Sequence, residues 1–278
     1  MWRICKMSIK KIFATDLDGT FLRGDHRFDK ERLKRILEQF REKDYLFVAA
    51  SGRSLLSLQS VFAGFEEDMA FLAENGSLVA YRDQMIFEEA AIPREVYLPL
   101  IQKIKEGPFG SKSQILLSGK NGGFLLDTVL PEYYNRIIAY YPNCRKVNDF
   151  HEVTEAIVKL VVTFSEEELD AANDWLNTTF SDIQSVTTGF DSVDIILNGG
   201  NKAVGLSHLC DYFCLTAADV IAFGDNQNDL EMLDFAGHAL ATSNARPIVK
   251  EAADEMIGHC NDDAVLEYIE EYLTQEQS

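Results

Sequence analysis

The sequence predicts an α/β protein: a doubly wound parallel sheet with an α+β domain inserted into it. Three observations predict this. From residue 10 to 76, short apolar runs that stop at polar turns alternate with amphipathic helical stretches. Over 77–189 the rhythm changes to hairpins and mixed segments, and after Asp191 the first rhythm returns. Of the 278 residues, 46% are apolar and 11% aromatic, enough for a large core and too many for a disordered chain.

KKIFATD at 10–16 is the first strand, ending at the acidic turn DLDGT. Over 28–43, Leu33, Ile36, Leu37 and Phe40 share one helical face, with Asp29 placed as N-cap. YLFVAA at 45–50 is apolar on both faces, the mark of a parallel strand covered by helices, and stops at Ser51-Gly52-Arg53. A helix carrying Leu55, Leu56, Leu58 and Val61 leads to the strand MAFLAENG at 69–76. Residues 77–87 read as a hairpin, and Pro93 opens a helix over about 94–106. Strands follow at 113–119 and 122–127, then an aromatic helix around 131–141. A strand at 156–164, a helix at 166–180 and a strand at 182–189 complete the insert. SVDIILNGG at 192–200 then resumes the parallel sheet, with a helix at 202–213 and the strand VIAFGDNQND at 220–229. A short helix closed by Gly237, the strand HALAT, and helices at 246–253 and 263–273 finish the chain. The expected division is 1–86 plus 190–278 for the core and 87–189 for the insert.

Charge removes several classes of function. Lys and Arg number 26 against 45 Asp and Glu, a net charge of −19. Such a surface repels nucleic acid and anionic lipid, so neither is expected as a partner. No apolar run approaches a membrane span, and the start lacks the pattern of a secretory signal. Residues 1–6 read as a dispensable extension, and Cys5, Cys144, Cys210, Cys214 and Cys260 as reduced thiols of a cytoplasmic protein. A monomer or a weak homo-oligomer is expected.

The chemistry collects where strands end. Asp16-Leu17-Asp18-Gly19-Thr20, Ser51-Gly52-Arg53 and Gly224–Asp229 each follow an apolar strand. In an open α/β sheet the carboxyl ends of the strands share one edge, where ligands bind. Asp16, Asp18, Asp225 and Asp229 therefore crowd together, and carboxylates so close do not all ionise without a cation. Oxygen ligands from one or two carboxylates, completed by water and a substrate phosphate, are the Mg²⁺ pattern. A plain strand-to-helix turn explains the first segment alone, but not its coincidence with the acidic loop after the strand at 220.

These motifs resemble the haloacid dehalogenase-like phosphatases, in particular the Cof type with its inserted α/β cap. DxDGT matches at Asp16–Thr20, a Ser after an apolar strand at Ser51, a Lys opening a helix at Lys202, and GDxxND at Gly224–Asp229. ENG at 74–76 and MLDFAG at 232–237 also match, and the likeness spans residues 10–272. AENG, ASGR and the TFL after the first motif point toward the sugar-phosphatase branch. Two segments depart from the pattern: Ala241-Thr242-Ser243-Asn244-Ala245 replaces A-M-G-N-A, and Asp262-Asp263-Ala264 lacks the usual glycine.

The resemblance implies a Rossmann-like core and a Mg²⁺-dependent phosphatase for small phosphomonoesters, foremost sugar phosphates. It makes Asp16 the nucleophile that becomes an aspartyl-phosphate, and Asp18 the acid and base. Asp16, the backbone carbonyl of Asp18 and Asp225 would hold Mg²⁺. Ser51, Lys202, Asn228 and backbone N–H groups near Leu17 and Gly52 would clamp the phosphoryl oxygens. Asp229 would orient Lys202 or a metal-bound water. A phosphomutase or phosphotransferase uses the same aspartyl-phosphate, and a vitamin- or flavin-phosphate phosphatase shares the motifs. A non-enzymatic phosphosugar sensor would not need both a nucleophile and an acid/base. Specificity is expected in the cap.

Other residues carry two readings. Arg53 could touch the substrate phosphate or pair with a surface acid. Glu74 and Asn75 could serve the substrate or make a turn. Tyr133, Tyr134, Tyr140 and Tyr141 could line a pocket, though packing of a cap helix is the plainer account. The five histidines share no metal spacing and read as structural or surface groups.

Overall fold

The computed structural model describes residues 9–88, 91–141, 143–188 and 191–276. The reading of residues 1–6 lies outside these, as does that of Cys5. The chain begins with β1 (Lys11–Thr15), α1 (Lys30–Lys43), β2 (Tyr45–Ala50), α2 (Leu55–Val61) and β3 (Met69–Ala73). The hairpin β4 (Leu78–Tyr81) and β5 (Gln84–Glu88) follows. Next come α3 (Arg94–Glu106), β6 (Gln114–Gly119), β7 (Gly122–Leu126), α4 (Pro131–Ile137) and β8 (Arg145–Val147). β9 (Ile157–Thr163), α5 (Leu169–Thr179), β10 (Ile183–Thr187) and β11 (Ser192–Leu197) complete the middle of the chain. The last stretch holds α6 (Lys202–Phe213), β12 (Val220–Gly224), α7 (Leu230–Phe235) and β13 (His238–Thr242), then α8 (Pro247–Ala252), β14 (Glu255–Ile257) and α9 (Ala264–Gln275).

Two compact units result. The first holds the residues up to Ser51, Phe62–Glu88 and the chain from Asn201 onward; the second holds Gly52–Val61 and Glu89–Gly200. An eight-stranded sheet, ordered β14-β13-β12-β1-β2-β3-β4-β5, forms the centre of the first unit. Its strands from β14 to β3 are parallel, and β4 and β5 are added antiparallel. Both faces are covered, which is why β1 and β2 read as unbroken apolar runs. Ile12, Ala14, Val48 and Ala50 pack with Leu206 and Leu209 on one face. Phe13 meets Phe40 of α1, with ring centroids 4.8 Å apart. That helix starts where Asp29 accepts the N–H groups of Glu31 and Arg32, and it buries Leu33, Ile36, Leu37 and Phe40.

The second unit is built on a mostly antiparallel sheet of six strands, β10-β11-β9-β6-β7-β8. Here the structure corrects one expectation. The strand after Asp191 does not resume the parallel sheet; β11 pairs antiparallel with β9 and β10. Its run of Val193, Ile195 and Ile196 is buried on both sides, and that pattern is shared by parallel strands and by any strand at the centre of a covered sheet. Asp194 is the clue that was available: its carboxylate pairs with Lys159 of β9 at 3.1 Å. Tyr133 and Tyr141 are packed in a small apolar cluster of this unit, with the Tyr133 hydroxyl 3.1 Å from Thr163 Oγ1.

Cys144, Cys210 and Cys260 are free thiols. No helix among the described residues is long and apolar enough to cross a membrane.

Candidate active site

Because β1, β2, β3 and β12 run parallel, the residues after their last positions emerge at one edge of the sheet. These are Asp16, Ser51, Glu74 and Asp225. Hydrogen bonds knit the exits together. Asp16 N–H donates to Phe223 O at 2.9 Å, Ser51 N–H to Leu72 O at 2.8 Å, and Asn75 N–H to Ser51 O at 3.0 Å.

The turn after Asp16 is wound tightly around Leu17, whose carbonyl accepts the N–H groups of Thr20, Phe21 and Leu22. The Leu17 side chain is fully buried and anchors the turn from beneath. Gly19 has φ +89°, and a Cβ there would fall on the Asp225 carboxylate, so the glycine is required twice over. Thr20 turns its hydroxyl to Asp225 and donates to Oδ1 at 2.8 Å.

Lys202 is the first residue of α6, whose N-cap Asn201 accepts the Val204 N–H. Its ammonium is buried and donates to Asp16 Oδ1 and Asp229 Oδ1, each at 2.5 Å. Asp229 spends its other oxygen on the backbone N–H groups of Asp225 and Asn226, at 2.9 and 3.0 Å. Asp229 thus shapes the loop and holds the lysine. Asn228 Nδ2 donates to Asn75 Oδ1 at 3.1 Å, which ties the loop after β12 to the turn after β3. That turn carries Glu74 and Asn75 at φ +51° and +55°, both buried, and Gly76 lies where a Cβ would strike the Asn201 backbone.

Carboxylate oxygens of Asp16, Asp225 and Asp229 all lie within 4.8 Å of one another. Burial, and then the neighbouring carboxylates Asp229 and Asp225, push Asp16 well above the usual range against the pull of Lys202. Burial and the Asp229 charge push Asp225 up to about 7. For Lys202 burial disfavours the charge, but Asp16 and Asp229 outweigh it and keep the ammonium protonated. One cation facing three close carboxylates leaves negative charge in excess. An all-oxygen donor set of this kind suits a hard dication.

The structure therefore gathers Asp16, Leu17, Asp18, Ser51, Lys202, Asp225, Asn228 and Asp229 within the first unit. Gly52 and Arg53 group with the second, where the Gly52 carbonyl accepts from Lys159 Nζ at 2.5 Å and the Arg53 guanidinium lies 5.1 Å from the Tyr140 ring centre. Sequence reasoning missed three contributors. Thr20 lies inside a motif that by itself gives it no role. His26 reads as a structural or surface group, yet its Nδ1 lies 3.2 Å from Asp18 Oδ1. Asn244 donates to Gly19 O at 2.7 Å, beside the Thr242 hydroxyl at 3.3 Å. The departures from the family pattern are accommodated: Thr242 adds that bond, and Gly258 leaves room for the Ala264 methyl.

Comparison with known proteins agrees with this geometry. A sequence profile described as haloacid dehalogenase-like hydrolase matches residues 13–269. The chain is 31% identical over 271 residues to the Escherichia coli 5-amino-6-(5-phospho-D-ribitylamino)uracil phosphatase YbjI, covering 97% of this chain and 98% of that one. It is 24% identical to an HMP-PP phosphatase of Enterobacter, covering 95% and 96%. The crystal structure of SMU.1108c from Streptococcus mutans superimposes with a TM-score of 0.90 at 32% identity, over 96% of this chain and all of that one. A subclass IIB sugar phosphatase, BT4131, shares the fold with a TM-score of 0.79 at 18% identity, over 94% and 98%. With its four motifs at one sheet edge and the profile running through both units, the chain belongs to the haloacid dehalogenase-like hydrolases.

Proposed function

We propose that this hydrolase, a phosphatase, removes the terminal phosphate from a small metabolite that carries it on a polyol or sugar chain. The observation that carries the reading is the Asp16 carboxylate, buried yet held by Lys202 and set beside Asp225. A buried carboxylate crowded by two others favours a ligand that brings neutralising charge. The 31% identity to a phosphatase named for a phosphoribitylamino-uracil favours a ribityl phosphate, a vitamin precursor, over simple hexose phosphates.

Asp16 attacks phosphorus, the bond from phosphorus to the ester oxygen breaks, and Asp18 gives its proton to the leaving alkoxide. Asp18, now a carboxylate, takes a proton from water. That water attacks the aspartyl-phosphate, the bond from phosphorus to the Asp16 oxygen breaks, and inorganic phosphate leaves. Lys202, Ser51 and Asn228 hold phosphoryl oxygens, with the N–H groups of Leu17 and Gly52. Mg²⁺ fits the donor set through Asp16, Asp225 and the Asp18 carbonyl, and when bound it neutralises charge shared by carboxylates and phosphate. Discrimination among esters is assigned to the insert, residues 87–189.

The test is phosphate release over a panel of ribityl, sugar, nucleotide and pyrimidine phosphates, with Mg²⁺ and after stripping with EDTA. Metal-dependent release, fastest from the phosphoribityl compound, is expected. Undiminished turnover after stripping overturns the metal assignment, and preference for a hexose phosphate overturns the substrate.

A further inference from the structure

Asp18 opens a short loop that returns to it at His26. Asp18 and Leu22 form an isolated parallel bridge, and a hairpin turn follows in which Arg23 N–H donates to Arg27 O at 2.9 Å and His26 N–H donates back to Arg23 O at 2.8 Å. His26 has φ +60°, in the left-handed region. A turn of this kind takes Gly or Asn at that position on conformational grounds alone. Here the position holds an imidazole, and Nδ1 reaches Asp18 Oδ1 at 3.2 Å.

The hairpin is fastened on its far side. Arg23 makes a two-pronged bond to the Asp263 carboxylate, Nε donating to Oδ1 at 2.9 Å and Nη2 to Oδ2. Gly24 N–H donates to Asn261 Oδ1 at 2.7 Å. Asn244, bonded to Gly19 O, accepts the Cys260 N–H at 3.0 Å and so joins the turn to the same loop before α9. All of these residues belong to the first unit. The anchoring fixes the backbone on which the imidazole stands.

We propose that His26 is a positioning residue for Asp18. With the hydrogen on Nδ1, the imidazole donates to Oδ1, which accepts both as the carbonyl oxygen of the carboxylic acid and as a carboxylate oxygen. This sets the rotation of the Asp18 carboxyl group, from which the proton goes to the leaving group. The role rests on the phosphatase reading, in which Asp18 is the acid.

Leaving groups separate this role from a structural one. An alkoxide needs the proton in the phosphorylation step, whereas nitrophenolate leaves without it. kcat/KM reports that first step for both esters. His26→Gly removes the ring and keeps the turn, because glycine adopts φ +60° freely. His26→Asn keeps a donor near the Nδ1 position and also tolerates that φ. In His26→Gly, kcat/KM for the best alkyl phosphate is expected to fall at least about tenfold more than for p-nitrophenyl phosphate. His26→Asn is expected to recover most of that difference, with melting temperatures close to wild type in both. An equal fall for both esters, or no fall, overturns the positioning role while leaving the phosphatase intact. A wild-type chain that hydrolyses neither ester overturns the phosphatase reading, and the role falls with it.

Discussion

Lys202 in the first unit and Lys159 in the second are both buried, at 0% and 1% exposure, but they keep different company. Lys159 donates to the Asp194 carboxylate at 3.1 Å and to the Gly52 carbonyl, and it lies 5.9 Å from the Tyr141 ring centre. Lys202 meets two carboxylates at 2.5 Å, with a third in the same 4.8 Å cluster. A buried ammonium–carboxylate contact such as Lys159–Asp194 is one that an apolar pair of similar volume could replace with little loss of stability. One ammonium against three is a surplus of negative charge that folding has no use for. The contrast is between a buried ammonium beside a carboxylate at 3.1 Å and one set in a cluster of three carboxylates.

Substitutions can break that contrast. The largest effect is expected from Asp16→Asn, with kcat reduced by at least about 10³-fold, since an amide is a very poor nucleophile. Its melting temperature without metal should rise, because one of the crowded carboxylates is gone. Steady-state phosphate release and a thermal melt check both parts. Next is Lys202→Met, expected to cost about 3–5 kcal/mol by stranding buried carboxylates. The matched exchange Lys159→Met with Asp194→Leu should lie within about 2 kcal/mol of wild type, as denaturant melts would show.

A third expectation concerns pH. Asp225 is pushed up to about 7 by burial and by Asp229, from an ordinary value near 3.9 in the unfolded chain. A native state that holds a proton the unfolded state releases loses stability as pH rises through that interval. The metal-free protein should therefore weaken between about pH 4 and 7 on this account. If Mg²⁺ binds as proposed it takes the place of the proton, so its stabilising shift in Tm should be larger at about pH 8 than at about pH 5.5. Melts with and without Mg²⁺ at the two pH values test this.

The smallest effect comes from comparing two glycines. Gly19 and Gly64 both have positive φ, at +89° and +93°, but a Cβ at Gly64 meets nothing within 4 Å. Gly64→Ala should cost about 1 kcal/mol and leave turnover unchanged. Gly19→Ala should also displace Asp225 and cost activity, which kcat measurements would separate.

The legible part of the molecule was its parallel half. Strand ends, the helix capped by Asp29 and the acidic motifs at Asp16–Thr20 and Gly224–Asp229 all announce themselves locally, because turn chemistry and period are properties of neighbours in sequence. What stayed hidden depends on partners far away. β11 reads as a strand of the parallel sheet, and only its antiparallel pairing with β9 and β10 places it in the second sheet. His26 could not be linked to Asp18 by spacing, since the link is a hairpin held by Arg23 and Asp263, 240 residues apart. Asn75 read equally as a turn and as a site residue; it is a turn that also fastens Ser51 and Asn228.

The central claim is that Asp16 forms a covalent bond to phosphorus, and chemical trapping tests it most directly. Wild-type protein with Mg²⁺ and substrate is quenched in acid during turnover, reduced with borohydride, digested and read by mass spectrometry. An aspartyl-phosphate is reduced to homoserine, so the account predicts homoserine at position 16, absent without substrate. Homoserine at another aspartate, or efficient turnover with none trapped at any aspartate, would contradict it.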